Sequence, residues 1–302
     1  MSIALAMLLA VALDALVGEP KRFHPLVGYG RYASMIERRV HRDTRAAGIV
    51  AWSLAVVAPL IVFTVVRALV PSWLAFVLDV LVHYTAIGRR SLGEHARPIA
   101  DALERGDLAA ARTSVGWMVS RDTEALDASQ VAGAATESVL ENGNDAVFGA
   151  LFWFVLLGGP GALLFRLANT LDAMWGYRTP RFLRFGETAA RIDDALGFFP
   201  ARLTALTYAG VGRFDGAMRC WREQGLRWKS PNAGPVMAAG AGALNVTLGG
   251  PAPYHGQWQH RPGLGEGDAP DASSIRAALR LVDRGVIAWV AAVLVIAVAA
   301  HA

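Results

Sequence analysis

The chain has 302 residues, of which 54% are hydrophobic and 18% are charged, whereas soluble domains carry roughly 25% charged residues. With a mean hydropathy of +0.35, this composition excludes a disordered chain and exceeds what a soluble core needs, so a membrane is the favoured environment. The net charge is +4, but the basic residues are dispersed, which argues against a nucleic-acid partner, and the single Cys220 excludes an internal disulfide and a cysteine-based metal site.

Four apolar stretches are predicted to span the membrane. The first has the length of a signal peptide but lacks a basic leader and a small-residue cleavage site, so we expect a retained helix with Asp14 near one end. The second is uncharged and long enough to cross, since a spanning helix needs about 20 apolar residues, and the third follows closely enough to form a hairpin with it. The predicted spans are residues 2–17, 48–66, 71–88 and 285–302.

A further apolar stretch, residues 146–165, is interrupted by Gly158-Gly159-Pro160-Gly161. Because hydrocarbon cannot satisfy the backbone groups that such a break frees, this stretch is predicted to be a re-entrant hairpin or a helix pair buried in protein. Arginines crowd the first polar loop, and the positive-inside rule places it in the cytoplasm. The sequence therefore predicts a single-domain, all-α, polytopic protein of the inner cell membrane with about four spanning helices. Its predicted cytoplasmic polar face comprises residues 18–47, 89–145 and 166–284.

The polar middle of the chain is predicted to be mostly helical. Apolar residues at helical spacing predict helices over residues 99–111 and 129–140, with Asp127 as the cap of the second. No alternating strand pattern of useful length occurs. Residues 249–271, rich in Gly, Pro and His, are predicted to be a long loop, which in a compact protein is usually functional or mobile.

Three acidic residues follow one another at about one-turn intervals. Glu137 and Glu141 are four residues apart, so on a helix their carboxylates share a face, and Asp145 follows one turn later. Like charges at this spacing repel each other, and a bound Mg²⁺, which prefers oxygen ligands, would relieve the repulsion. A solvated acidic face is the alternative.

A second polar cluster follows the first apolar stretch and contains Asp14, Glu19, His24 and Arg31. An acidic residue near the end of a membrane helix is costly unless it binds something, which favours a site. A solvated helix end followed by a proline turn explains the same residues.

Later in the chain, polar residues again allow two interpretations. Asn169 and Asp172 are three residues apart and suit a helix cap as well as a ligand site. Lys229 and Asn232 precede a run of small residues, 233–248, that allows either close approach to a ligand or close helix packing.

Two adjacent carboxylates, Asp193 and Asp194, lie between Arg191 and Arg202. Since adjacent helical residues point about 100° apart, one carboxylate can bind a metal while the other pairs with an arginine. Internal salt bridges alone are the alternative. The sequence has no phosphate-loop, dinucleotide-binding, nucleophile-elbow or zinc-protease motif, so a metal-assisted enzyme and a transporter both fit.

Eight ordered sequence blocks extend over almost the whole chain. They include Leu13-Asp14-x-Leu16-x-Gly18-Glu19-Pro20 with His24-Pro25, Gly88-Arg89-x-Ser91-Leu92, Arg121-Asp122-Thr123, Glu137-Ser138-x-x-Glu141-Asn142-x-x-Asp145, Asn169-Thr170-Leu171-Asp172, Arg191-x-Asp193-Asp194, Pro200-Ala201-Arg202 and Ser230-Pro231-Asn232. In order and spacing these blocks resemble the CobD/CbiB family of cobalamin biosynthesis, the adenosylcobinamide-phosphate synthases.

The resemblance implies a membrane enzyme that joins adenosylcobyric acid, through its propionate carboxylate, to the amine of (R)-1-aminopropan-2-ol or of its phosphate. It also implies ATP and Mg²⁺, because a carboxylate and an amine do not condense unaided in water. The expected partners are these substrates, the lipid bilayer and other proteins of corrinoid synthesis. A transporter or a non-catalytic scaffold of corrinoid synthesis is the alternative, suggested by Asp14, Asp79 and the glycine-broken segment.

On this resemblance, each candidate residue is given a hypothetical role. Metal or general-base roles are assigned to Glu137, Glu141, Asp145 and Asp172. Mg²⁺ ligation is assigned to Asp122, Asp193 and Asp194. Contacts with phosphates or amides of the substrates are assigned to Arg31, Arg121, Asn142, Asn169, Arg191, Arg202, Lys229 and Asn232. Asp14, Glu19 and His24 complete the expected site.

Overall fold

The computed structural model describes residues 2–20 and 24–300, and it is mostly helical. Contacts within the chain group it into two compact units. The first comprises Met1–Gly88, Asp145–Gly197 and Val290–Ala302, and the second comprises Arg89–Asn144 and Phe198–Trp289.

The first unit is built from helices. They are α1 (Ser2–Val17), α2 (Pro25–Val40), α3 (Arg45–Trp52), a π-helical turn (Ser53–Val57), α4 (Ala58–Leu69), α5 (Ser72–Ala86), a second π-helical turn (Asn144–Phe148), α9 (Gly149–Leu157) and α10 (Gly159–Trp175). The next helix, α11 (Glu187–Val211), begins in this unit.

The second unit contains the remaining elements. They are α6 (Arg89–Glu104), α7 (Leu108–Val115), α8 (Ala128–Gly143), α12 (Phe214–Gln224), a 3₁₀ turn (Gly225–Arg227), α13 (Ala233–Leu244), the strands β1 (Thr247–Gly249), β2 (Ala252–Tyr254), β3 (Gln257–Gln259) and β4 (Gly263–Gly265), and most of α14 (Ala272–Ala299).

An aromatic core holds the first unit together. Trp175 at the end of α10 and Phe185 are buried, with their ring centroids 5.2 Å apart and the rings edge to face. Gly48 on α3 lies directly against this core, because a Cβ at that position would collide with the Phe185 carbonyl group. Burial of one such ring contributes about 2 kcal/mol, so this contact fixes α3 and α10 in the same unit.

In the part of the chain that the structure describes, two helices are long and apolar enough to cross a membrane. One runs without interruption over Arg45–Leu69 and contains the predicted span 48–66, and the other is α14, which contains most of the predicted span 285–302. Residues 301–302 lie outside the described residues. α4 buries none of its residues, and Val62 is 63% exposed, which fits lipid contact. The predicted spans 2–17 and 71–88 form α1 and α5, of 16 and 15 residues, so the count of four spans stays a prediction.

The apolar stretch 146–165 is broken where glycine interrupts it. Gly158 has φ of +65°, which ends α9 and begins α10. The two helices pack closely, because a Cβ on Gly161 would collide with the Trp153 carbonyl oxygen. The stretch is therefore a helix pair, and α10 continues for ten residues beyond Phe165 to Trp175.

The predicted helix 129–140 is present as α8, and Asp127 caps it as expected. The Asp127 carboxylate accepts from the Gln130 backbone N–H at 2.8 Å, while the Gln130 side chain accepts from the Asp127 N–H at 2.9 Å. The predicted helix 99–111 is wrong as one element. α6 ends at Glu104 because Gly106 takes φ of +74°, and Asp107 then caps α7.

The prediction of a long loop over residues 249–271, and with it a purely helical fold, is also wrong. β1 pairs with β4, with Leu248 opposite Leu264, and β2 pairs with β3 in a tight hairpin. The hairpin turn is His255-Gly256, where both residues have positive φ, the geometry of a two-residue type I′ connection. Each strand has three residues, too few to show an alternating pattern.

Candidate functional site

The first unit brings four predicted carboxylates and an amide into one electrostatic neighbourhood, here called the carboxylate cluster. Asp145 lies on the second π-helical turn, Asn169 and Asp172 lie one turn apart on α10, and Asp193 and Asp194 lie on α11. The Asn169 side-chain amide donates to Asp193 Oδ1 at 3.4 Å. The cluster thereby brings together residues up to 49 positions apart in the chain, from Asp145 to Asp194.

The pKa values of three carboxyl groups in this cluster are raised, chiefly by burial. Partial burial, followed by the charge of Asp194, raises the pKa of Asp172 to about 6. Burial, then the charges of Asp145 and Asp172, raise the pKa of Asp193, and burial raises that of Asp194. Carboxylates in this state favour either a proton or a cation.

The structure excludes one of the alternatives that the sequence left open. Asn169 and Asp172 lie inside α10, whose N-cap is Gly158, so the capping interpretation is wrong. The exposed Arg191 forms an ion pair with Glu187 at 2.5 Å. The roles of Asp193 and Asp194 stay predictions.

Arg166 extends the carboxylate cluster and is a residue that the sequence analysis missed. Its guanidinium lies within electrostatic reach of Glu19 and Asp145, whose charges raise its pKa against the larger lowering by burial. Glu19 also pairs with His24, whose Nε2 is 3.3 Å from Glu19 Oε2. The one signal for Arg166 in the sequence is its position as the first charge after the uncharged stretch 146–165.

His24 caps a helix of the first unit, and Asp14 is buried there. His24 Nδ1 accepts from the Leu26 backbone N–H at 3.1 Å and thereby caps α2. Asp14 is buried near the end of α1. Arg31 makes none of the contacts described above for the carboxylate cluster. It lies on α2, where it lines a cavity of about 540 Å³ together with Arg38 and Arg39.

The second unit contains a buried ion-pair network centred on Glu137 of α8, which is 3% exposed. Arg121 Nη2 donates to Glu137 Oε2 at 2.5 Å, and Arg261 donates to both carboxylate oxygens at 3.0 and 3.1 Å. The Gly249 backbone N–H donates to Glu137 Oε1 at 2.7 Å. Burial alone would raise the pKa of Glu137, but Arg121 and Arg261 outweigh it and hold that pKa below its usual value.

This network changes the interpretation of the acidic face predicted for α8. Glu137 is not on a solvated face, and two arginines rather than a metal balance its charge. α8 ends at Gly143, and Asp145 lies on the π-helical turn that follows. Glu141 itself is half-buried. Arg261, which the sequence analysis also missed, lies in the segment predicted to be a loop.

Other predicted residues of the second unit form smaller contacts. Arg202 Nη1 donates to Asn232 Oδ1 at 2.8 Å, and its guanidinium lies 3.7 Å from the Phe198 ring centroid. Asn142 donates to the Ser138 carbonyl oxygen at 2.9 Å. Lys229 is exposed.

Asp122, a predicted metal ligand, holds the β2–β3 hairpin. Its Oδ2 accepts from the Gly256 backbone N–H at 2.7 Å, and its own N–H donates to the Pro253 carbonyl oxygen at 3.0 Å. One carboxylate oxygen is thus already committed to the turn.

Among residues 2–20 and 24–300, no three His, Cys, Asp or Glu side chains are arranged as a preformed metal site. The carboxylate cluster nevertheless offers the oxygen donors that Mg²⁺ prefers. Since Mg²⁺ usually binds through one or two carboxylates together with waters and substrate phosphates, a complete protein cage is not required.

The fold and the site define a largely helical protein with two candidate membrane-spanning helices and a partly buried carboxylate cluster. Comparison with known proteins identifies its family. A family model described as CobD/Cbib protein matches residues 7–282. The chain therefore belongs to the CobD/CbiB family of cobalamin biosynthesis, and the resemblance drawn from the sequence is confirmed.

Several curated relatives are similar over nearly their full length, and each is named "Cobalamin biosynthesis protein CobD". The protein from Stutzerimonas stutzeri (strain A1501) is 57% identical over 295 residues, which cover 96% of both chains. The protein from Chromobacterium violaceum is 53% identical over 300 residues, again 96% of both. The protein from Mycobacterium tuberculosis (strain CDC 1551 / Oshkosh) is 41% identical over 283 residues, 92% of this chain and 90% of the relative. No solved structure matches the chain.

Proposed function

We propose that the protein is an ATP-dependent amide-forming ligase that joins adenosylcobyric acid to (R)-1-aminopropan-2-ol or to its O-phosphate. A substrate carboxylate oxygen attacks the γ-phosphorus of ATP, and ADP leaves. The amine then attacks the acyl carbon, inorganic phosphate leaves, and an active-site base takes the ammonium proton. The product is adenosylcobinamide or its phosphate.

The observation that carries this proposal is the carboxylate cluster of the first unit. A general base works best when its pKa lies near the operating pH, and in the metal-free cluster burial, followed by the charge of Asp194, raises the pKa of Asp172 to about 6. Asp172 is therefore the preferred base for the ammonium proton. Family membership supports the place of this chemistry in cobalamin biosynthesis.

Mg²⁺ fits the same cluster by the chemistry of its donors. Asp145, Asp193 and Asp194 would hold the ion, with Asn169 restraining Asp193. When bound, Mg²⁺ would neutralise phosphate charge and lower the repulsion among these carboxylates. Asp193 and Asp194 are the better metal candidates, because Asp122 is already engaged by the β2–β3 hairpin.

Glu137 has a different role in this proposal. All four of its described contacts come from hydrogen-bond donors, so it has little capacity left to take a proton. Its role is to hold Arg121, Arg261 and the end of β1 in fixed positions. Arg202 and Asn232, already joined to each other, remain candidates for substrate phosphates and amides.

The proposed location is the inner cell membrane, with the chemistry on the cytoplasmic face. The two long apolar helices support membrane attachment, and the arginine-rich segment around α2 supports the orientation. ATP would then be available to the site from the cytoplasm.

The transporter alternative loses part of its support. Asp79, one of the acidic residues that suggested it, is 8% exposed and accepts two hydrogen bonds from Arg67, at 2.7 and 2.8 Å. A carboxylate held by a bidentate arginine is a neutralised pair within the helices rather than an open ion site.

The proposal is tested with detergent-solubilised protein, adenosylcobyric acid, ATP, Mg²⁺ and either form of the amine, with the corrinoid product followed by mass. We expect ATP-dependent amide formation that falls at least about a hundredfold in Asp172→Asn, the range typical of a lost general base, and also falls in Glu141→Gln. Asp43→Asn, which removes an exposed carboxylate, is the matched control. A folded protein that binds the corrinoid but makes no amide from either amine would contradict the ligase proposal and favour the transporter or scaffold hypothesis.

A further inference from the structure

Arg166 has an unmet hydrogen-bonding requirement. Its Nε–H is buried, and no hydrogen-bond partner for it exists in the part of the chain that the structure describes. A guanidinium has only donors, and a buried donor without an acceptor is costly, so native proteins rarely retain one without a reason. The missing partner must be an acceptor, and next to a cation the favoured acceptor is an anion.

A glycine leaves a small space beside the guanidinium of Arg166. Gly88 lies beside it, where an added Cβ would be 3.4 Å from Glu19 Oε1 and 4.0 Å from Arg166 Nη2. The Gly88 N–H donates to the Ala146 carbonyl oxygen at 2.9 Å, which fixes this glycine next to the π-helical turn that carries Asp145. A methyl-sized space therefore lies between a carboxylate and a guanidinium.

We propose that the Nε–H edge of Arg166 receives an oxygen of a phosphoryl group that binds beside the carboxylate cluster. The planar fork of arginine matches the oxygens of phosphate, and the neighbouring carboxylates of Asp145 and Asp193 can be neutralised by a cation as well as by a proton. A bare anion would be repelled by Glu19 and Asp145, whereas a phosphoryl group paired with Mg²⁺ satisfies the guanidinium and the carboxylates at the same time.

This inference rests on the proposed function for the identity of its two candidate ligands. The phosphoryl group belongs either to the nucleotide or to the O-phosphate of the amine substrate. Both present the same chemistry to Arg166, so binding measurements must separate them.

The experiment measures dissociation constants from ligand-induced thermal stabilisation of the full-length, detergent-solubilised protein with Mg²⁺ present. The probes are a non-hydrolysable ATP analogue, aminopropanol O-phosphate and unphosphorylated aminopropanol. Wild type is compared with Arg166→Lys, which keeps the charge but lacks the Nε–H edge, and with Arg166→Gln. Arg42→Gln removes an exposed arginine of the same unit and serves as the control.

We expect Arg166→Lys to weaken one of the two phosphorylated probes by about tenfold to a hundredfold, the effect of losing one charge-assisted hydrogen bond, and to leave aminopropanol unchanged. Selective weakening of the ATP analogue assigns the site to the nucleotide, and selective weakening of aminopropanol phosphate assigns it to the amine. If Arg166→Gln does not fold, the lysine variant alone decides the matter.

The inference is overturned if folded Arg166→Lys binds both phosphorylated probes within about twofold of wild type, since a lost charged contact should cost more. Because binding requires no turnover, the two proposals fail separately. Phosphate binding that depends on Arg166 in a protein that makes no amide refutes only the ligase. Full ligase activity with unchanged affinities in Arg166→Lys refutes only the role of Arg166.

Discussion

Replacing Asp172 by asparagine is expected to stabilise the metal-free protein at neutral pH. In the folded state the pKa of Asp172 is raised from 3.8 to about 6, chiefly by burial and then by Asp194. Between these two pH values the folded state binds more protons at this site than the unfolded state does. Stability therefore falls as the pH rises through this window and stays lower above it.

The size of this effect follows from the same two pKa values. At about 1.4 kcal/mol per pH unit, the difference corresponds to about 3 kcal/mol at neutral pH. Because the side chain is only partly buried, solvent screening reduces the expected gain to about 1.5 kcal/mol. For a chain of this size, that gain corresponds to a rise of roughly 2 to 3 °C in Tm.

The assay is thermal unfolding in detergent with a chelator present, followed by tryptophan fluorescence at pH 4 and at pH 7.5. Asp172→Asn should raise Tm at pH 7.5 and leave it nearly unchanged at pH 4. At pH 4 the wild-type carboxyl group is protonated in the folded state and is therefore uncharged, like asparagine. Asp43→Asn should change neither value. An equal change at both pH values, or a lower Tm at pH 7.5, would refute the reasoning that burial and the charge of Asp194 raise this pKa.

Three further predictions concern the rest of the molecule. Glu137→Gln should lower the free energy of unfolding by about 3 kcal/mol or more, because it leaves two buried arginines without their shared anion. The exposed Glu124→Gln should be nearly neutral, and equal Tm values for the two variants would contradict the prediction. Asp79→Asn should lower Tm, because Arg67 loses its partner, but should keep ligase activity within about twofold; loss of activity in a folded variant would assign Asp79 a functional role. Gly256→Ala should cost about 1 kcal/mol in chemical denaturation, because φ is +75° at that turn, and no measurable cost would show that the hairpin relaxes.

Local signals in the sequence predicted those parts of the fold that neighbouring residues determine. Asp127 and Gln130 satisfy each other across one helical turn, so the start of α8 could be predicted without tertiary information. The break at Gly158 was predictable for the same reason, since a Gly-Gly-Pro-Gly run interrupts a helix in any context. The three-residue strands were not predictable, because two-residue periodicity cannot be recognised over so few positions.

The same distinction between local and distant partners applies to the candidate site. Asp172 lies in one electrostatic neighbourhood with Asp193 and Asp194, and both their membership of a site and their roles stay predictions. Arg166 and Arg261 were missed because each derives its importance from partners distant in the chain. A single arginine after an apolar stretch or within a Gly- and Pro-rich segment carries no local signal of such partners.

The network around Glu137 has a consequence for how the protein is made. Its contacts with Gly249 and Arg261 join residues separated by 112 and 124 positions, whereas Arg121 is only 16 positions away. During synthesis from the N-terminus, Glu137 can therefore meet its first arginine long before the second exists. Until Gly249 and Arg261 emerge, three of the four described hydrogen bonds of Glu137 cannot form, and loop-closure entropy must be overcome late. Nascent chains that stall before Arg261 should thus remain recognisable to cellular quality control as unfinished.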